Sequence, residues 1–177
     1  MSDGRVWYFA YGSNMETATL RGRRGVEPSR ALPARAAGWR LVLDKPPLLP
    51  VGEAFANIVP DPHAAVLGVL YEITRADWEH LELTEGVRIG NYRSVTIRAT
   101  SLATPGLEVE AFALTSDRRD PKLWPSERYM ACLVAGAEEH GLPTEYVAFL
   151  RTVPARPETP EAAAFRPLLE DALRRRC

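Results

Sequence analysis

Six runs of apolar or alternating residues read as strands, at 8–11, 38–43, 55–59, 66–73, 92–100 and 107–114, with only short helices between them. Parallel neighbours need a crossover of a dozen or more residues, and the helices that supply it cover both faces of the sheet. Short connections favour a mixed, mostly antiparallel sheet curled toward a barrel over a doubly wound parallel one. The expected class is therefore α+β, a barrel-like sheet with short surrounding helices and a helical C-terminal third.

The first run, Tyr8-Phe9-Ala10-Tyr11, stops at Gly12, and a helical stretch from 16 to 20 begins after Ser13 and Asn14. Gly12 can turn without a Cβ clash, and Ser13 or Asn14 can cap the helix. Unpartnered backbone N–H groups at such a corner attract anions or carbonyl oxygens, although a plain capped helix explains the same residues. Arg21-Gly22-Arg23-Arg24-Gly25 reads as solvated charge complementing the end of that helix rather than as a phosphate or nucleic-acid site.

Three prolines make 45–53 a loop, and Pro60 and Pro62 are expected to end the run at 55–59. Gly68, inside the run 66–73, marks a bulge or a close backbone approach. Thr74 with Asp77 three residues on reads as a helix start, so a short helix is placed at 75–83, ending near Gly86. The turn Thr104-Pro105-Gly106 joins the last two runs as a hairpin. Further on, Pro125-Ser126 opens a helix with Tyr129, Met130, Leu133, Val134 and Ala137 on one face. Thr144 is expected to cap a helix reaching about Arg151. Thr159-Pro160-Glu161 starts a final one with Phe165, Leu168, Leu169, Ala172 and Leu173 as its apolar stripe and Arg174 to Arg176 at its end.

At 177 residues the chain is expected to form one domain, 1–177, with 152–177 as a helical extension. Its 22 basic and 23 acidic residues nearly cancel, so no general attraction to nucleic acid or anionic membrane is expected. Two cysteines, Cys132 and Cys177, give no disulfide framework, and a reduced, cytoplasmic setting fits. Neither a secretory leader nor a run of about 18 apolar residues is read in the sequence.

Several chemistries lack their residues. His63, His80 and His140 are scattered without ligand spacing, and Ser13 is not in a G-x-S-x-G elbow. Neither a G-x-G-x-x-G nor a G-x-x-x-x-G-K-[ST] loop occurs. What remains is Glu85, between a short helix and Gly86, with Leu81, Leu83, Val87 and Ile89 around it in sequence. Such neighbours can desolvate a carboxylate and raise its pKa, while a solvated glutamate at a helix end is the plainer reading.

Tyr8 to Met15, Phe55-Ala56-Asn57-Ile58-Val59-Pro60, Glu85-Gly86-Val87 with Gly90-Asn91-Tyr92, Pro125-Ser126-Glu127-Arg128-Tyr129 and Gly141-Leu142-Pro143-Thr144-Glu145-Tyr146 occur in one order. Together they resemble the gamma-glutamylcyclotransferase family, over about residues 7 to 150. The loop 45–53 and the helix after 159 are less family-like. The resemblance implies a small mixed α/β barrel-like fold, with no metal and no organic cofactor. Carried onto matching positions, it implies Glu85 as the catalytic general acid/base. It also implies Tyr8, Phe9, Ala10, Tyr11, Gly12, Ser13 and Asn14 as the substrate-binding loop, with Tyr129 and Tyr92 beside the same pocket.

The implied reaction is attack of a gamma-glutamyl α-amine on its own δ-carbonyl, releasing 5-oxoproline and an amine or amino acid, as in glutathione metabolism. Because the nucleophile belongs to the substrate, the protein needs to bend the chain and move protons, which accounts for the missing nucleophile. Backbone N–H groups of 12–14 would hold either the oxyanion or the α-carboxylate. Two alternatives stand beside this reading: a binding module sensing a small metabolite in the same pocket, and a cyclotransferase acting on a larger biosynthetic amine. The expected partner is a small molecule, with no nucleic acid and no membrane. A homodimer stays open, the C-terminal helix either covering the pocket or pairing subunits.

Overall fold

The structure, a computed structural model, describes residues 4–174. Strands β1 (Arg5–Ala10), β2 (Arg30–Lys45), β3 (Phe55–Thr74), β4 (Arg93–Ser101) and β5 (Glu108–Thr115) close into a barrel in the order β1-β3-β2-β4-β5. All pairings are antiparallel except that of β1 with β5, where Tyr8 lies opposite Phe112. Closure gives each strand a neighbour on both sides and leaves no open sheet edge. The expected mixed, barrel-like α+β class is the one the chain forms.

Five strands replace the six expected, because β3 runs straight through Pro60 and Pro62. Ala37 pairs with Ala65 but Trp39 pairs with Pro60, so residues 61–64 face little more than Gly38, whose φ is +83°. Pro60 still pairs with Trp39 at the edge of this irregularity, and Pro62 lies inside it, where the ladder is already interrupted. The same hairpin extends β2 back to Arg30, well before residue 38, with the small side chains of Ala34 and Ala36 fully buried. Gly68 is a close approach: a Cβ there would lie 2.3 Å from the Ala10 carbonyl oxygen.

Among the described residues, five helices surround the barrel: α1 (Thr17–Arg24), α2 (Arg75–Thr84), α3 (Glu127–Glu139), α4 (Thr144–Thr152) and α5 (Pro160–Arg174). Short 3-10 turns occupy Ser13–Met15 and Val87–Ile89. The expected helix at 16–20 begins one residue later and continues to Arg24. Neither Ser13 nor Asn14 caps it, since the 3-10 turn intervenes and Glu16 holds the cap position. In α2 the box closes as expected, Thr74 Oγ1 accepting from the Asp77 N–H at 3.0 Å and Asp77 Oδ2 accepting from the Thr74 N–H at 3.4 Å.

Ser126 caps α3, which buries Tyr129, Met130, Leu133 and Ala137 against the barrel and carries Cys132 as a free thiol. Gly136 of α3 lies directly on the turn after β1; a Cβ there would be 2.5 Å from both the Glu16 nitrogen and the Met15 carbonyl carbon. Thr144 is the first residue of α4 rather than its cap, the cap position being Pro143 with no side-chain bond. Helix α5 packs against α1, but its stripe is only partly covered, with Phe165, Leu168 and Leu169 exposed. Arg175, Arg176 and Cys177 lie outside the described residues. Among those described, no helix is long and apolar enough to cross a membrane.

Candidate active site

Strand β1 delivers its aromatic residues to one end of the barrel, and the turn that follows bends over a cavity of about 310 Å³. Tyr8, Tyr11, Gly12, Ser13 and Asn14 line it, joined by Glu85 from the end of α2, Tyr92 just before β4 and Tyr129 from α3. Phe9 and Ala10 are fully buried but do not reach the cavity. Phe9 packs where β1 crosses Gly68.

Glu85 sits at the C-cap of α2, and Gly86 at φ +73° turns the chain sharply behind it. A side chain on Gly86 would lie 2.9 Å from Asn91 Cβ. Asn91 in turn holds the backbone of this corner, Nδ2 donating to the Glu85 carbonyl at 2.9 Å and its N–H to the Gly86 carbonyl at 3.0 Å. The expected apolar wrapping of Glu85 does not form: Leu81 is buried in the core, while Leu83 and Ile89 point to solvent. Instead the carboxylate faces polar partners inside the cavity. Its Oε1 lies 2.7 Å from Arg24 Nη2 and accepts from Asn14 Nδ2 at 3.3 Å, with only 13% of the Glu85 side chain exposed.

Arg24 is the largest departure from the sequence reading. Far from being solvated helix-end charge, it is buried and lines the cavity, and its Nε and Nη1 have no protein partner. Asn14 Oδ1 is likewise buried and unpaired, while Asn14 Nδ2 also donates to the Tyr8 hydroxyl at 3.1 Å. Buried polar groups without partners are costly, and in a cavity they mark where a polar ligand completes the set. Arg23 is also not free in solvent, since its Nη2 reaches Glu170 of α5 at 3.1 Å.

Two tyrosines grip Ala56 from opposite sides. The Tyr129 hydroxyl accepts from the Ala56 N–H at 3.0 Å, and the Tyr92 hydroxyl donates to the Ala56 carbonyl at 3.0 Å. Tyr11 donates to the Leu114 carbonyl at 2.5 Å. Burial raises all the cavity phenols: Tyr8, Tyr11 and Tyr92 well above the ordinary tyrosine range, and Tyr129 to about 12, where the Ala56 and Ser13 amides hold it back. They are neutral hydrogen-bonding walls at ordinary pH, not bases.

Lys45, the last residue of β2, is buried beside them and sits over the Tyr92 ring at 4.4 Å. Its Nζ donates to Asn91 Oδ1 at 2.5 Å and to the Pro46 carbonyl at 2.8 Å. Burial lowers its pKa to about 8, the charge of Arg118 adding to the effect and that of Glu85 opposing it.

Residues 65–150 match the model of the AIG2-like family. A gamma-glutamyl cyclotransferase of Aspergillus oryzae is 30% identical over 168 residues, covering 84% of this chain and 61% of that relative. Gamma-glutamylcyclotransferases of Bos taurus and Homo sapiens are 28% and 27% identical over 155 residues, each covering 82% of this chain and 77% of the relative. These matches support the gamma-glutamylcyclotransferase family as the one this chain is similar to. The chain spans about 61% of the length of the Aspergillus relative. The fold agrees: a solved human protein superposes with a TM-score of 0.79 at 24% identity, over 97% of this chain and 99% of that one.

Arg24, Lys45 and Asn91 stand at the site without having been given a role there from sequence, although Asn91 lies in the family-like stretch Gly90-Asn91-Tyr92. Arg24 carried a readable signal, because it lies four residues after Leu20 and so shares the helix face that Leu20 buries. Asn91 stands six residues after Glu85, whereas Lys45 carried no signal, since only the barrel brings it to residue 91. The loop after β2 and helix α5, the two less family-like segments, both line the outer part of the cavity.

Proposed function

We propose that this chain is a cofactor-independent gamma-glutamylcyclotransferase, with Glu85 as the proton carrier. The observation that carries the reading is a buried carboxylate sharing a cavity with a guanidinium whose Nε–H and Nη1–H bonds point to no protein group. An α-amino acid head group fits that pair: its ammonium toward Glu85, its carboxylate toward Arg24 in the forked geometry guanidinium favours. One carbon joins the two substrate groups, so anchoring the carboxylate on Arg24 brings the amine to the carboxylate that must deprotonate it.

Glu85 accepts a proton from the α-ammonium and frees the nitrogen lone pair. The amine then attacks the δ-carbonyl carbon, a C–N bond forms to close the five-membered ring, and the carbonyl electrons move onto oxygen. Backbone N–H groups of Gly12 and Asn14 serve that oxyanion, while that of Ser13 faces Tyr129 and the α-carboxylate is taken by Arg24. As the carbonyl reforms, the original amide C–N bond breaks and Glu85 passes protons to the departing nitrogen. The α-nitrogen loses two protons in becoming the lactam N–H, and the leaving nitrogen gains two, so the amine departs as an ammonium. Tyr8, Tyr11, Tyr92 and Tyr129 shape the wall against which the glutamyl chain bends.

The test is direct. Full-length protein is incubated with gamma-glutamyl dipeptides, glutathione and gamma-glutamylated amines, and 5-oxoproline is measured by chromatography. Release of 5-oxoproline in stoichiometric amount with free amine is expected. Saturable binding without product would make the chain a metabolite-binding module instead.

A further inference from the structure

The cavity continues past the head-group pair into an outer chamber walled by the loop after β2 and by α5. Ion pairs already commit the charged side chains of this chamber. Arg23 reaches Glu170 at 3.1 Å, Arg166 reaches Glu158 at 3.0 Å, and Arg128 lies 4.0 Å from Glu158 and 3.7 Å from Glu170. Glu53 accepts the Thr159 N–H at 3.0 Å.

What is left over is apolar: Leu48, Leu49 and Val51 from the loop, and Phe165, Leu169 and Leu173 from α5. Leu48, Leu49, Phe165 and Leu169 are 50%, 39%, 44% and 42% exposed, and they account for four of the ten large apolar side chains that stand out into solvent among the described residues. A cluster of this kind around one opening marks a surface that an apolar ligand group covers.

We propose, building on the cyclotransferase reading, that the preferred substrates are gamma-glutamyl amides whose leaving amine bears a large apolar group. The glutamyl head lies at Arg24 and Glu85, and the amine substituent lies between the loop and α5. A zwitterionic leaving group such as a dipeptide would bring a carboxylate into a chamber whose arginines are already paired. An aryl or branched alkyl group meets uncommitted carbon on two sides. Each methylene it buries is worth up to about fourfold in kcat/KM.

Three probes separate this from the general reaction: gamma-glutamyl-ethylamide, gamma-glutamyl-phenethylamide and glutathione, each followed by 5-oxoproline release. The phenethylamide is expected to exceed both others by at least about tenfold in kcat/KM, chiefly through KM. Leu169→Gln, a change on an exposed helix face, is expected to cut the phenethyl-to-ethyl ratio at least threefold. Circular dichroism monitors its folding, and Leu49→Gln provides a second variant on the opposite wall. Equal turnover of all three probes overturns the apolar preference while leaving the cyclotransferase reading in place. A high ratio that neither variant reduces overturns the placement of the amine group. No 5-oxoproline from any probe overturns both readings.

Discussion

The two ends of the cavity are built differently. The inner end comes from β1 and its turn, α1, the end of α2 and α3, each locked by a second contact behind it: Asn91 behind Glu85, Gly136 beneath the 13–15 turn, Leu20 beside Arg24. Its polar groups are buried, and some are left for a ligand to satisfy. The outer end comes from a proline-bearing loop and a terminal helix, with paired charges and half-exposed apolar side chains. Chemistry that must place a proton within a fraction of an ångström calls for the first kind of construction. Selecting a substituent by burying it is achieved with the second, where a changed side chain costs little stability. On the proposed reading, the reaction belongs to one end and substrate choice to the other.

Glu85→Gln is expected to break the inner end most severely. A general acid/base contributes about 10²- to 10⁴-fold, so kcat should fall by that factor, roughly 3–5 kcal/mol in barrier, equally for ethylamide and phenethylamide. Unequal loss between the two would show that the ends are not separate.

Arg24→Gln comes next. Removing one partner of a buried pair leaves Glu85 uncompensated, with an expected loss of roughly 3 kcal/mol in urea unfolding and a raised KM for every substrate. In the Arg24→Gln/Glu85→Gln double variant the two neutral amides should recover much of that stability without recovering turnover. If the double variant were less stable than the sum of its singles, the pair would not be the coupled unit described here.

Gly136→Ala probes the support rather than the site. Its Cβ would press on Met15 and Glu16, costing about 1–3 kcal/mol and displacing the Ser13–Asn14 turn. Both kcat and KM should worsen while the phenethyl-to-ethyl ratio holds, a split measurable by steady-state kinetics.

The smallest effect concerns Lys45, at the junction of the two ends. Its folded pKa of about 8 lies below the ordinary 10.5. Below pH 8 both folded and unfolded chains hold the proton, and the cost of a buried ammonium is present in full. Between about 8 and 10.5 the unfolded chain binds the proton that the folded one has released. Stability therefore rises with pH there, by at most about 1.4 kcal/mol per unit from this group. Urea unfolding at pH 7.5 and 9.5 should show that rise in the native chain and lose it in Lys45→Met; parallel curves would refute the shift.

Much of this was legible from local pattern. Thr74 with Asp77, Gly86 and the 104–106 turn each specify their structure through contacts a few residues apart, whereas Glu85 was brought forward by the family resemblance, its local pattern fitting a solvated helix end as well. Arg24 was misjudged because charge at a helix end is usually solvated, and only its i,i+4 relation to Leu20 pointed inward. Pro60 and Pro62 misled for a related reason: a proline disrupts a strand only where its N–H is needed, and these two stand at the edge of and within the interruption opposite Gly38.

By itself, the sequence determined the barrel-like class, the strand-to-turn corner at Gly12 and the helix end at Gly86, because periodicity, capping and glycine geometry are local properties. The tertiary structure alone decided that Glu85 pairs with Arg24 rather than lying among leucines. It also decided that Lys45 and Asn91 stand behind that pair, and that the loop after β2 and α5 face each other across one opening. Arg24 with Glu85, Lys45 with Asn91 and the loop with α5 are contacts between residues tens of positions apart, and nothing short of barrel closure sets their distances.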